Sequence, residues 1–248
     1  MTQSPSPDRP LDGLIALVTG ASRGIGRASA IGLADAGAHV IITGRTQGAL
    51  EELDDEIKSR TGERATIVAM DLAQLADIDV LGGVIYQRWG KLDILVHAAA
   101  QLGDMTPVSH LEPHVWDKVV NLNFTASFRL LRSLEPLLRQ ATAGRAIFLT
   151  TGVAVKPRAF WGVYGATKAG MENLVGSWAD ELEHTQVRAS LLSPGPMRTR
   201  MRAQAFPGED PMTLPDPVEI APLVVELARP DLTPAARVEF AGWKAARA

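Results

Sequence analysis

The first apolar run of the chain passes directly into a glycine-rich turn: Leu14-Ile15-Ala16-Leu17-Val18-Thr19-Gly20-Ala21-Ser22-Arg23-Gly24-Ile25-Gly26. Leu14–Thr19 reads as a buried strand, and a helical pattern follows from about Arg27. Glycine at 20, 24 and 26 permits a tight turn whose backbone approaches a ligand with no Cβ in the way. Exposed N–H groups and the positive end of the helix favour an anion there, such as a pyrophosphate. The spacing is G-x-x-x-G-x-G rather than the commoner G-x-G-x-x-G. A plain strand-to-helix turn is the alternative, but a position after the first strand of a βαβ unit favours phosphate binding.

Outward from this turn, short apolar runs recur at Val40–Thr43, Thr66–Met70, Leu92–His97, Ala146–Thr150, Val187–Leu192 and, more briefly, Arg237–Phe240. Between them lie helical stripes: Phe124, Phe128, Leu131, Leu134 and Leu138, then Met171, Leu174, Val175, Trp178 and Leu182. Regular strand–helix alternation predicts a single α/β domain over 12–248. Its expected architecture is a Rossmann-type, doubly wound parallel sheet of about seven strands with helices on both faces. Such sheets bind ligands beyond the carboxyl ends of their strands, where the strand order reverses. Residues 1–11, with Pro5, Pro7 and Pro10, read as a flexible tail without the pattern of a secretory signal.

Composition narrows the function. The 248 residues are 46% apolar and 21% charged, which argues against disorder, and the net charge of -3 argues against nucleic acid as a partner. No run is long and apolar enough for a membrane span, so a cytoplasmic protein is expected. With no cysteine, disulfides, thiolate metal sites and cysteine nucleophiles are all excluded, and no metal site is expected.

A second motif lies far downstream: Tyr164-Gly165-Ala166-Thr167-Lys168 opens a predicted helix and places Tyr164 and Lys168 on one face. Together with Thr19–Gly26, in this order and at this distance, it resembles the short-chain dehydrogenase/reductase family over nearly the whole chain after the tail. The resemblance implies reversible hydride transfer between a nicotinamide cofactor and a small carbonyl or alcohol. Tyr164 would exchange the proton, and Lys168 would favour its phenolate and hold the nicotinamide ribose. A phenol titrates near pH ~10, so bringing it to neutrality requires roughly 4 kcal/mol from the ammonium and the oxidised ring. The family's substrate-orienting serine lies thirteen residues before the tyrosine, where this chain has Thr151; a strand threonine facing the core is the alternative. The family's helix asparagine, which supports a water relay to the lysine, aligns with Asn123 rather than Asn121.

The second predicted strand ends Thr43-Gly44-Arg45, without the acid that would hold an unphosphorylated ribose. Arg45, with Arg23 and Ser22, could bind a 2′-phosphate instead, so NADP is expected over NAD. The resemblance adds Asp71 and Leu72 at the adenine, and Ala98 and Ala99 beside the cofactor. It also places Pro194, Gly195, Met197 and Thr199 at the nicotinamide carboxamide. At one place the chain departs from the family: N-N-A-G becomes His97-Ala98-Ala99-Ala100. Each side-chain hydrogen bond lost there costs about 1 kcal/mol, and His97 is read as structural. Leu102-Gly103-Asp104 and the 202–211 segment resemble the YciK-like bacterial subgroup, with a substrate loop expected around 200–217. Pairing through helices near 114–138 and 164–184 would give a homodimer or homotetramer. The competing function is a non-catalytic dinucleotide-binding sensor or partner-binding protein on the same fold, which the changes at 97–100 and 151 motivate. A third, hydride-mediated epimerisation, finds little room for a large substrate.

Overall fold

A computed structural model describes residues 9–247. Its strands and helices follow in the order β1 (Ile15–Thr19), α1 (Gly24–Asp35), β2 (His39–Gly44), α2 (Gln47–Thr61), β3 (Thr66–Ala69), α3 (Leu75–Trp89) and β4 (Ile94–His97). The second half runs α4 (Pro113–Val120), α5 (Ala126–Leu138), β5 (Arg145–Leu149), α6 (Gly152–Val155), α7 (Gly162–Glu181) and β6 (Arg188–Ser193). It ends with α8 (Arg200–Ala205), α9 (Ala221–Ala228), β7 (Arg237–Glu239) and α10 (Phe240–Ala245). The seven strands form one sheet in the order β3-β2-β1-β4-β5-β6-β7, and every pairing is parallel. The doubly wound α/β architecture expected from the alternation is the one observed.

The order reverses between β1 and β4. From β1 the chain winds outward through β2 and β3, then returns to β4 on the other side, leaving a crevice at the two carboxyl ends. β1, β4 and β5 are buried along their whole length, which is why their sequences are apolar runs rather than alternating patterns. One apolar layer packs α1, α2 and α9 on the sheet through Leu33, Leu53 and Val224. The other packs α3, α5 and α7 through Ile78, Leu134 and Met171. Of the two predicted stripes, Phe128 alone turns outward and is exposed. No helix among the described residues is long and apolar enough to cross a membrane.

Two expectations change. Residues 1–8 of the expected tail lie outside the described residues, but its last residue belongs to the domain: Leu11 is fully buried and its N–H donates to Ala36 O at 2.9 Å. An aliphatic side chain beside a proline-rich stretch still gains from burial if the layer above α1 has room for it. The 200–217 segment is likewise no open loop. Thr199 caps α8, Asp210 caps a 3₁₀ turn at Pro211–Thr213, and Asp216 forms a capping box with Glu219 ahead of α9. Leu11→Ala should lower the unfolding free energy by about 2–5 kcal/mol in denaturant titration, the cost of an unfilled core site. A loss near zero would return Leu11 to the tail.

Candidate active site

The turn after β1 is built on two close approaches and a left-handed glycine. A Cβ on Gly20, where φ is +66°, would lie 2.8 Å from the Ala99 Cα beyond β4. On Gly26 it would lie 2.3 Å from Gly20 O. Gly24 has a φ of +54° and starts α1, three residues before the expected Arg27. Neither Gly20 nor Gly26 can therefore carry a side chain without moving backbone, and α1 presents its first amides to the crevice.

The crevice is a cleft of about 560 Å³, within the ~300–1,000 Å³ usual for cofactor sites. It brings together Gly20, Ser22, Arg23, Gly24, Ile25, Gly26, Arg45, Asp71, Leu72, Ala98, Ala99, Tyr164, Lys168, Pro194 and Thr199, gathered from one end of the sheet. Gly195 and Met197 are not among its lining residues; Met197 is buried in the core layer beneath the 194–199 turn. Asp71 accepts from Ala73 N at 3.0 Å in a local turn, and α3 begins only at Leu75.

Other lining residues went unread in the sequence. Thr43, at the end of β2, holds a buried hydroxyl with no hydrogen-bond partner, beside the position expected to take a phosphate. Arg27 also lines the cleft, one helical turn after Arg23, and is paired with Glu56 at 2.5 Å. The i, i+4 spacing from Arg23 was the available signal. Arg23 and Arg45 are both exposed, and Ser22 lies close beside Gly44, so hydroxyl and guanidinium groups converge at the end of β2.

At the end of β5, Tyr164 and Lys168 lie buried on α7, 8% and 2% exposed. Lys168 Nζ donates to Leu149 O at 2.7 Å, which ties the ammonium to the strand end. Burial pushes the Tyr164 phenol up to about 12. Burial brings Lys168 down to about 8, with Glu172 opposing the change. Desolvation alone raises Tyr164, and for Lys168 it exceeds the opposing effect of Glu172.

Thr151 lies just past β5 and caps α6, accepting from Val153 N at 3.4 Å; it is not among the cleft's lining residues. Its neighbour Thr150 does line the cleft and donates to Glu172 at 2.5 Å. Asn123 sits, fully buried, in a π-helical turn at Asn121–Thr125 between α4 and α5. Its carboxamide accepts from Gln101 N and donates to Gln101 O, both at 2.9 Å, and also reaches Thr167 Oγ1 at 3.2 Å.

His97 is buried and brought down to about 3, first by burial and then by Lys168, so its ring is neutral. Its partners assign the tautomer. Ser127 Oγ donates to Asn123 O, so it must accept from His97 Nε2, at 3.1 Å. Nδ1 then accepts from Thr19 Oγ1 at 2.8 Å, and that oxygen takes the Ala99 N–H at 3.3 Å. One directional chain thus links the turn after β4 to the π-helical turn.

The protein has two tyrosines, Tyr86 and Tyr164, and Tyr86 is exposed. In Tyr86→Phe, phenolate absorbance should therefore be absent at pH 10 to 11 and rise only towards about 12. Ionisation near pH ~10 would contradict the burial argument.

A family profile described as short chain dehydrogenase matches residues 14–210. The uncharacterized oxidoreductase YciK of Escherichia coli strain K12 is 38% identical over 223 residues, covering 89% of this chain and 88% of that protein. A short chain dehydrogenase structure from Escherichia coli CFT073, complexed with NADPH, is 38% identical with a TM-score of 0.87, over 90% of this chain and 94% of that one. Another, from Shigella flexneri 2a strain 301 and complexed with NADP, is 36% identical with a TM-score of 0.88, over 94% and 98%. Sequence, sheet order and cleft agree, and the chain belongs to the short chain dehydrogenase family of oxidoreductases.

Proposed function

We propose that this protein is an NADP-preferring oxidoreductase that interconverts a small-molecule carbonyl and its alcohol. One observation carries the reading. Two buried titratable side chains, Tyr164 and Lys168, share a cleft with a glycine turn that admits no Cβ. The similar structures complexed with NADP and NADPH support the cofactor. The close backbone approaches at Gly20 and Gly26 and the orphaned Thr43 hydroxyl suit a phosphate-bearing dinucleotide. When bound, that dinucleotide supplies or accepts the hydride.

The chain's own residues do the rest. The turn amides of 22–26 would hold the dinucleotide's pyrophosphate, Ser22, Arg23 and Arg45 a 2′-phosphate, and Asp71 and Leu72 would border the adenine. Ala98, Ala99, Pro194, Gly195, Met197 and Thr199 border the nicotinamide side, with Gly195 and Met197 acting through backbone. A phenol held at about 12 is protonated at neutral pH, so Tyr164 is set to donate its proton to a carbonyl oxygen. Lys168, at about 8, is still mostly ammonium there and can steady the phenolate left behind. The oxygen of Thr151 accepts from Val153 N, so its proton is left for a substrate oxygen held beside the cleft rather than within it. Asn123 is a positioning residue: with its carboxamide engaged by Gln101 and Thr167, its support for a proton relay comes through backbone geometry. Trp116 and Phe128, exposed on α4 and α5, support a homodimer or homotetramer built on these helices.

Tyr164→Phe should lower kcat by about 10²–10⁴-fold on any carbonyl substrate while NADPH binding is retained. Saturable NADPH binding with no turnover in the wild type, unaltered by Tyr164→Phe, would identify a dinucleotide-binding sensor instead. Arg45→Asp should move the NADP/NAD preference towards NAD by more than about tenfold, as a carboxylate repels the 2′-phosphate and accepts from the ribose hydroxyls. A wild type that already prefers NADH would overturn the assignment of Arg23 and Arg45.

A further inference from the structure

Trp161 immediately precedes α7, and its ring centroid lies 5.8 Å from that of Tyr164. Phe206, just past α8, lies 6.0 Å from Trp161. Arg202 places its guanidinium 3.7 Å over the Phe206 ring, and Glu209 holds that guanidinium with two hydrogen bonds of 2.6 Å. The Phe206 ring is therefore positioned by a charged clamp rather than by a hydrophobic core.

The core does not account for these rings. Trp161 and Phe206 are both half-buried, and neither belongs to either apolar layer. The chain is poor in aromatics, with 2 Tyr, 5 Trp and 6 Phe, yet Trp161, Tyr164 and Phe206 meet at one place, with Phe160 next to Trp161 in sequence. Phe160 is the one non-glycine among the described residues with positive φ, at 71°, and its side chain is 53% exposed. A bulky residue in that conformation is disfavoured, and such strain concentrates where a site demands a particular chain path. Val108, also exposed, reaches Gly162 so closely that a Cβ there would lie 2.6 Å from Val108 Cγ2. The surroundings of the start of α7 are thus apolar as well as aromatic.

We propose that Trp161 and Phe206 form the substrate-recognition wall, and that the substrate is an apolar carbonyl compound, or its alcohol, with a flat ring joined directly to the reacting carbon. The inference rests on the oxidoreductase reading above. A ring set against Trp161 gains offset or edge-to-face contact with an aromatic face, which a saturated ring of equal carbon count cannot match. The indole and phenol rings are neighbours, so a ring set against Trp161 would carry a carbonyl joined directly to it towards Tyr164. Arg202 is spent on Glu209 and Phe206, and Arg198 pairs with Asp216, so these two lid arginines are turned to the protein rather than to a substrate anion.

The test compares benzaldehyde with cyclohexanecarbaldehyde, with NADPH, in wild type, Trp161→Leu, Trp161→Phe and Phe206→Leu. The wild type should favour the aromatic aldehyde by about five- to tenfold in kcat/KM, chiefly through KM. Trp161→Leu and Phe206→Leu should bring that ratio towards one, and Trp161→Phe should keep most of it. Binding is read separately with NADP present, from the change in tryptophan fluorescence on adding benzyl alcohol. The change should saturate in the wild type, weaken about fivefold in Phe206→Leu, and be absent with cyclohexylmethanol. Equal kcat/KM for the two aldehydes, or a preference that survives in both leucine variants, overturns the wall. Loss of turnover for both aldehydes in the wild type overturns the oxidoreductase reading instead, and the benzyl alcohol binding then decides the wall on its own.

Discussion

Two backbone segments meet at the carboxyl ends of β1 and β4 with no space for a side chain between them: a Cβ on Gly20 would lie 2.8 Å from Ala99 Cα. This contact places the turn amides at the reversal of strand order and starts α1 at Gly24. It also limits how the turn after β4 can be held. The chain has Ala98 where the family pattern has an asparagine, so that side chain contributes no hydrogen bond. Its place is supplied from β1 and β4 themselves, because Thr19 accepts the Ala99 N–H and donates to His97, whose other nitrogen donates to Ser127. A ring brought down to about 3 is neutral around pH 7, so this chain of hydrogen bonds does not switch with pH near neutrality.

The same dryness governs the chemistry. Burial raises the phenol and depresses the ammonium, so each group is held closer to its uncharged form than in water. Lys168 donates to Leu149 O, which holds the ammonium at the end of β5. At neutral pH such burial keeps the Tyr164 phenol protonated.

The central strands β1, β4 and β5 were legible because burial on both faces leaves apolar runs, and each predicted strand overlaps an observed one by all but a residue or two. The glycine turn and the Tyr164–Lys168 pair were legible because each is a local pattern. What the sequence hid depends on contacts between distant segments. Leu11 is core only because Ala36 and the layer above α1 receive it. The π-helical turn around Asn123 exists because its carboxamide is bound by Gln101 on another segment. Thr150 and Thr151 are chemically alike in sequence, yet one faces the cleft and the other caps α6.

The helix that carries the chemistry shows how core and site are joined. Positions 161, 164, 168, 171, 175, 178 and 182 step alternately by three and four, so they form one stripe along α7 and its flanks. Met171, Val175, Trp178 and Leu182 bury its C-terminal part in the layer shared with α3 and α5. The N-terminal part runs on to the end of β5, where the same stripe carries Lys168, Tyr164 and then Trp161. Packing of the C-terminal half thus fixes the rotation at which the N-terminal half presents ammonium, phenol and indole. A one-residue shift of either motif along the helix would turn these groups by about 100° and break their alignment with the cleft.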